Sequence, residues 1–250
     1  MFPFPRRKKL SVVLFTSIFD TEKKLEEIIY KLGFIIRTLV IFRVSEVIWL
    51  DDLKNKKNIT RIIKDVSNYA LTPPYGKKYF PIKRTLSKVG LIPPINIPSH
   101  VVSNDYVEGE IRKVVNGDTG VKIVNRKTKS VLVLDSLRKS HLTYDFYPYY
   151  DGYSIKFYDV TYLNKIKDIE NVIIASRSGK DLSLVADKIS SIYEQNGLTL
   201  VIGPPKGGLL KTMETTGHML VNFVPKQGVK DVRAEEALYG ALSLLNYILS

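Results

Sequence analysis

The 250-residue chain contains no cysteine. Disulfides, thiolate metal sites and cysteine nucleophiles are therefore excluded together. Histidine is almost as scarce: His100, His141 and His218 stand far apart, without HExxH or any paired-His spacing, so no metal centre is expected. A GxSxG nucleophile turn is also missing. Paired carboxylates occur as Asp51-Asp52 and Glu235-Glu236, but adjacent residues of a helix do not share a face and make poor two-carboxylate sites. No apolar run approaches the roughly 20 residues needed to cross a bilayer. The basic start of the chain is not followed by a signal-type apolar core. These absences predict a cytoplasmic protein with no membrane partner.

Acidic residues are under-represented: 38 Lys and Arg face 25 Asp and Glu, a net charge of +13. Such an excess favours a polyanionic partner, with nucleic acid the first candidate. The hydrophobic fraction of 44% is ordinary for a globular chain.

Residues 1–9 (MFPFPRRKK) read as a mobile basic tail, in which Arg6 and Arg7 are candidate phosphate contacts. LSVVLFTSIF reads as a strand, Thr21–Leu32 as a helix, Ile35–Phe42 as a second apolar helical segment, and Glu46–Leu50 as a strand ending in Asp51-Asp52. A polar helix is expected over Lys54–Tyr69. Six of the twelve prolines then fall between Pro73 and Pro98, which largely excludes α-helix there and marks a domain boundary. From His100 to about Tyr162 short β-branched runs alternate with turn signals such as Asn116-Gly117, the texture of a small Greek-key barrel. Basic groups, Arg112, Lys113 and Lys127 among them, precede a tyrosine-dense stretch that includes Tyr149. Cations with interleaved aromatics suit single-stranded nucleic acid, although most of these tyrosines are expected to pack. The texture then returns to α/β: a strand and Ser-Arg-Ser-Gly turn over 171–182, and a helix from Asp181 to Gln195 stopped by Gly197.

The C-terminal third repeats one arrangement twice. LTLVIGPPKGGL (198–209) and MLVNFVPKQGVKD (219–231) are apolar strands running into Gly/Pro loops. VRAEEALYGALSLLNYILS is an amphipathic helix with Asp231 as its expected N-cap and Glu235 and Glu236 in its first turn. Strand, loop and helix in this order suit a small-molecule site at the carboxyl ends of parallel strands. As a pattern it is equally an ordinary pair of β–α turns, since GPPKGG is neither GxGxxG nor GxxxxGK[ST].

The wording of the loops is more specific than their pattern. IGPPKGGL followed by NFVPKQGVKDVRAEEALYGALSLLN resembles the last two motifs of the SPOUT, or α/β-knot, RNA methyltransferases. GFIIRTLVIFRVSEVIWLDD (33–52) resembles the first motif of that class. LTPPYGKKYFP…VGLIPPI resembles the entry into the OB-like domain carried by its archaeal and eukaryotic branch. The resemblance implies an α/β fold, a parallel-sheet SPOUT domain with a C-terminal trefoil knot, built from residues 1–87 and 167–250. Residues 88–166 would form an inserted all-β OB-like barrel that captures RNA.

The resemblance further implies that S-adenosylmethionine is held by Ile202, Gly203, Pro204 and Gly207 on one side and by Asn222, Phe223, Val224, Pro225, Gln227, Gly228 and Val232 on the other. Arg37, Arg233 and Glu235 become the candidates for catalysis. Ribose-methylating members carry an Asn-Val-Ser-rich third motif, whereas this chain has ValArgAlaGluGluAla there, which points to a base nitrogen in ribosomal or other structured RNA. A homodimer through the last helix is also implied. Two other functions fit the same residues, an inert RNA-binding protein on this fold and a ribose 2′-O methyltransferase. A DNA-binding architectural protein is supported by charge alone.

Overall fold

A computed structural model describes residues 2–53, 57–124, 126–205 and 217–249. Strand β1 (Leu10–Phe15) is buried along its whole length, as a continuous apolar run in a parallel sheet must be. The chain proceeds through α1 (Leu25–Ile41), β2 (Glu46–Asp51) and α2 (Lys57–Leu71). Short strands β3 (Ile111–Lys113), β4 (Ser130–Asp135) and β5 (Ser140–Tyr144) form a separate antiparallel sheet. The chain re-enters the main sheet as β6 (Ser154–Asp159). It continues through α3 (Leu163–Lys167), β7 (Val172–Asp181), α4 (Ala186–Asn196), β8 (Leu198–Ile202), β9 (Met219–Asn222) and α5 (Ala234–Ile248).

The six-stranded sheet has the order β6-β2-β1-β8-β7-β9, and every pairing in it is parallel. Helices α1, α2, α4 and α5 pack on one face, over Val12, Val47, Trp49 and Leu200. On the other face Leu163 and Ile166 of α3 cover Val13, Phe15, Ile48 and Val201. The division follows from crossover handedness. The steps β1→β2, β2→β6 and β7→β8 all run one way across the sheet, and β6→β7 runs back. A uniformly right-handed connection places the returning helix on the opposite face.

Several expectations change here. Gly33 does not break the first helix: α1 runs through it for 17 residues, and its bare backbone lets Ile92 pack at 3.4 Å. Strand β6 belongs to the main sheet, paired with β2 from Ser154 to Asp159, so residues 154–166 are not part of an inserted barrel. The helix of the last third begins after Arg233 rather than Asp231. The Arg233 N–H donates to Glu236 Oε2 at 3.0 Å, closing a capping box. The basic tail is tied down. Tyr150 N–H donates to the Pro3 carbonyl at 2.8 Å, and the Tyr149 ring packs against Phe2 and Phe4 at 5.4 and 5.8 Å.

The inserted sheet meets the main body through residues 71–100 and 150–153. At that junction burial lowers the His100 imidazole to about 4, and a hydrogen bond to the Leu71 backbone only partly opposes the shift. Between pH 6.5 and about 4 the unfolded chain binds a proton that the folded chain refuses. Stability is therefore complete above pH 6.5 and falls as the pH drops through that window, by up to roughly 3 kcal/mol. Denaturant titrations at stepped pH should show this loss in the wild type and a flatter dependence in His100→Gln. Parallel curves would refute it.

Candidate active site

A cleft of about 790 Å³ opens at the carboxyl ends of β1, β7, β8 and β9, where ligands bind in open parallel sheets. One wall is the exit of β8, Ile202 to Pro205. A second is the exit of β9, Asn222 to Val224, with Gln227 and Lys230 to Ala234 leading into α5. The third wall, Ser17, Ile18, Asp20, Thr21 and Lys31, comes from the β1–α1 connection, and the fourth is Ala175 to Ser178 on β7.

The β9 loop is braced by its own side chains. Asn222 Oδ1 accepts from the Val224 N–H at 3.0 Å, and its Nδ2 donates to the Arg177 carbonyl at 3.2 Å. Gln227 Nε2 donates to the carbonyls of Val229 and Lys230 at 2.8 and 2.9 Å. Arg177 Nη1 reaches the Lys230 carbonyl at 2.8 Å. These bonds fix the peptide groups of 222–230 without a regular element. Opposite them, Thr16 Oγ1 donates to Asp51 and Asp52 at 3.1 Å, and Ser17 N–H donates to Asp52 at 2.8 Å. The two aspartates thus act as anchors for the β1 exit.

Beside the cleft lies a chain of alternating charges. Lys31 Nζ donates to the Ile18 carbonyl at 2.6 Å and sits 3.1 Å from Glu22 and 3.4 Å from Glu235. Glu235 in turn is 3.9 Å from Arg233. Among the described residues, Ser17 Oγ and Glu235 Oε2 are buried atoms with no hydrogen-bond partner.

Most residues expected at the cofactor line this cleft: Ile202, Gly203, Pro204, Asn222, Phe223, Val224, Gln227 and Val232 do. Pro225 and Gly228 belong to the same loop without lining it, and Gly207 lies outside the described residues. Arg233 lines the cleft and Glu235 touches it through Arg233 and Lys31. Arg37 is not brought there: its guanidinium donates to the Pro94 carbonyl, tying α1 to the proline-rich segment. The β1–α1 wall and Lys31 had no sequence signal, because a lysine inside an amphipathic helix looks like any solvated charge.

The cations expected to meet RNA divide. Arg112 is 1% exposed. It donates to Glu110 at 2.7 Å, to the carbonyls of Thr119, Ser103 and Asp105 at 3.0, 2.7 and 2.8 Å, and to Ser103 Oγ at 2.9 Å. It is a scaffold residue and not a phosphate contact, since every position opposite a buried strand residue points inward. Lys113 is paired with Asp151. Arg6 Nε donates to the carbonyl of Phe42, just past the end of α1, at 3.0 Å and its Nη2 to Asn246 at 2.6 Å. Tyr149 is engaged with Phe2, Phe4 and Tyr147. Arg7 and Lys127 remain on the surface. The outer face of the small sheet instead presents Leu134, Leu142 and Phe146, with Tyr144 against Phe146 at 5.8 Å.

No group of three or more potential metal ligands occurs among the described residues, and no described helix is long and apolar enough to cross a membrane. An uncharacterized protein of Halobacterium salinarum is 23% identical, over 94% of this chain and 98% of its own. An uncharacterized protein of Haloarcula marismortui is likewise 23% identical with the same coverage. The structure also aligns over 97% of its length with 81% of a "putative methylase family protein" from Neisseria gonorrhoeae, at 8% identity and a TM-score of 0.42, below the level at which a shared fold is established. A family profile matches residues 9–133, which contain the β1–α1 wall of the cleft, Lys31 and Arg37. The chain therefore belongs to the family described as "Putative RNA methyltransferase".

Proposed function

We propose that this protein is an S-adenosylmethionine-dependent RNA methyltransferase of the SPOUT class that methylates a base nitrogen of structured RNA. The observation that carries the reading is the coincidence of the 790 Å³ cleft with the two Gly/Pro loops at 202–205 and 222–232. Family membership implies a methyl donor. The cleft suits this one: Ile202, Phe223, Val224 and Val232 supply apolar flanks for an adenine, the braced peptide groups of 222–230 supply polar edges, and Ser17 Oγ is a buried polar atom without a partner. The bound cofactor would supply an activated methyl group on a sulfonium. The protein's own part is to orient the acceptor nucleotide, exclude water and take up the acceptor's proton. Arg233 and Glu235 at the start of α5 hold the positions for that work.

A trefoil knot is part of the proposal. Val221 of β9 pairs with both Ala175 and Lys180 of β7, while Ser176–Gly179 arch between them. One edge of a strand accommodates one partner at a time, which supports a β9 held on both sides by a loop of β7. The separate β3–β4–β5 sheet serves as the RNA-capturing arm, in an OB-like role, with Tyr144, Phe146 and the surface cation Lys127 as its contacts.

The homodimer is proposed on altered grounds. Leu238, Ala241, Leu242 and Leu245, the stripe of α5 expected at an interface, are consumed by the protein's own core. The exposed apolar face consists of Tyr30, Phe34 and Ile41 on α1 with Tyr239, Leu244 and Tyr247 on α5. Pairing across it would set Arg37, on the same helix, near a two-fold axis. A single sedimenting species at 28.5 kDa would refute the dimer.

The enzymatic reading is tested by incubating the protein with methyl-labelled cofactor and RNA from its own cells, then digesting to nucleosides. Label on a base nitrogen, lost in Arg233→Ala, is expected. Label on a ribose oxygen would move the reaction to 2′-O methylation. Absence of both label and calorimetric cofactor binding would leave an RNA-binding protein.

A further inference from the structure

We infer that Lys31 is a positioning residue that keeps the Glu235 carboxylate ionised and aimed as the proton acceptor for the nucleotide. The inference rests on the methyltransferase reading above. Lys31, Glu22 and Glu235 are only 11, 12 and 12% exposed at their side chains. All three hydrogens of the Lys31 ammonium have an acceptor, Ile18 O, Glu22 Oε1 and Glu235 Oε2. The bond to Ile18 is the shortest at 2.6 Å. It fixes the ammonium to the exit of β1, so the lysine is held by the scaffold and the carboxylates are placed relative to it.

Glu235 differs from Glu22 in one respect. Its Oε2 lies at ion-pair distance, 3.4 Å from Lys31, but accepts no hydrogen bond. A buried carboxylate oxygen with unused lone pairs is costly unless something donates to it. Beside a cleft built for a nucleotide, the donor that fits is the N–H of an acceptor base. When that nitrogen forms its bond to the methyl carbon, the methyl–sulfur bond breaks, the sulfonium becomes a neutral thioether, and the N–H proton passes to Glu235 Oε2. Charge and atoms balance without a metal or a further reactant.

The groups facing Glu235 are Lys31 of α1, Glu22 of the preceding loop and Arg233 at its own helix start. Two carboxylates of like charge share the single ammonium of Lys31. Without that ammonium they repel, and protonating one of them becomes favourable.

The test compares wild type, Lys31→Met, Lys31→Arg and the double variant Lys31→Met/Glu22→Gln. The first readout is a carbon-detected NMR titration of the Glu235 carboxyl in cofactor-free protein. The second is the pH dependence of kcat for methyl transfer. In Lys31→Met the Glu235 midpoint and the acidic limb of kcat should move together to higher pH, by on the order of one unit, with KM for RNA unchanged. Lys31→Arg should keep both in place, and Glu22→Gln should restore most of the shift. A lysine that merely braced the fold would lower the amount of folded protein and leave both titrations where they were, which would overturn the inference. A shifted NMR midpoint in a protein that transfers no methyl in any variant would instead refute the methyltransferase reading. An acidic limb unmoved while the carboxyl midpoint shifts would remove Glu235 as the proton acceptor.

Discussion

Gly179→Ala is expected to disrupt the carboxyl end of the sheet. A Cβ at that position would stand 2.5 Å from the Val221 nitrogen, 2.6 Å from the Leu220 carbonyl carbon and 2.7 Å from the Val221 carbonyl carbon. All three are backbone atoms of a strand whose pairing with β7 already fixes it. Overpacking against movable side chains costs about 1–3 kcal/mol. Here no rotamer change can relieve the clash, so the loss should reach on the order of 3 kcal/mol or more, a large share of a typical domain's stability. Denaturant unfolding should show a lower midpoint, together with loss of cofactor binding because β9 carries one wall of the cleft. Gly228→Ala is the companion measurement. A Cβ there meets nothing within 4 Å, so stability should change by less than about 0.5 kcal/mol. Any loss of cofactor affinity in that variant would then report on the site itself. A Gly179→Ala protein as stable as wild type would refute the close approach of β7 and β9.

Arg112→Ala should have the second large effect, confined to the inserted sheet. The substitution leaves Glu110 without its ion-pair partner and strips donors from the Ser103, Asp105 and Thr119 carbonyls. Breaking a buried pair from one side costs about 3–5 kcal/mol, because the remaining charge stays buried. Native-state hydrogen exchange should show protection lost over β3, β4 and β5, while the six-stranded sheet keeps its own. Methyl transfer should fall through loss of RNA capture, with cofactor affinity intact. By contrast Lys127→Ala should leave stability unchanged and weaken RNA binding more at low salt than at high salt. If Arg112→Ala behaved like Lys127→Ala, Arg112 would be a phosphate contact after all.

The parallel strands β1, β2 and β8 and the helix stop at Gly197 were legible because each depends on local chemistry. Continuous Val/Ile/Leu runs require burial on both faces, and Gly197 supplies a positive φ of 74° that other residues rarely adopt. Asn116 and Gly117, at φ 52° and 85°, likewise form the tight turn their pairing demands. The Gly/Pro loops at 202–205 and 222–232 announced a ligand site for the same reason, and they do line one cleft.

What the tertiary structure alone decided is which partner each of these surfaces meets. Periodicity marks an apolar face but not what covers it, so the stripe on α5 served equally as core or interface until α1 and α4 were seen to claim it. A run of alternating residues does not state which sheet it joins, and β6 pairs with β2 across more than a hundred residues. Charge counting totals the cations without saying which are neutralised. Arg112 and Lys31 look in sequence like Arg7 and Lys127, and only the positions of Glu110, Glu22 and Glu235 make them internal. Contacts between residues distant in the chain set the burial and pairing of a charge, and those contacts exist only once the sheet has assembled.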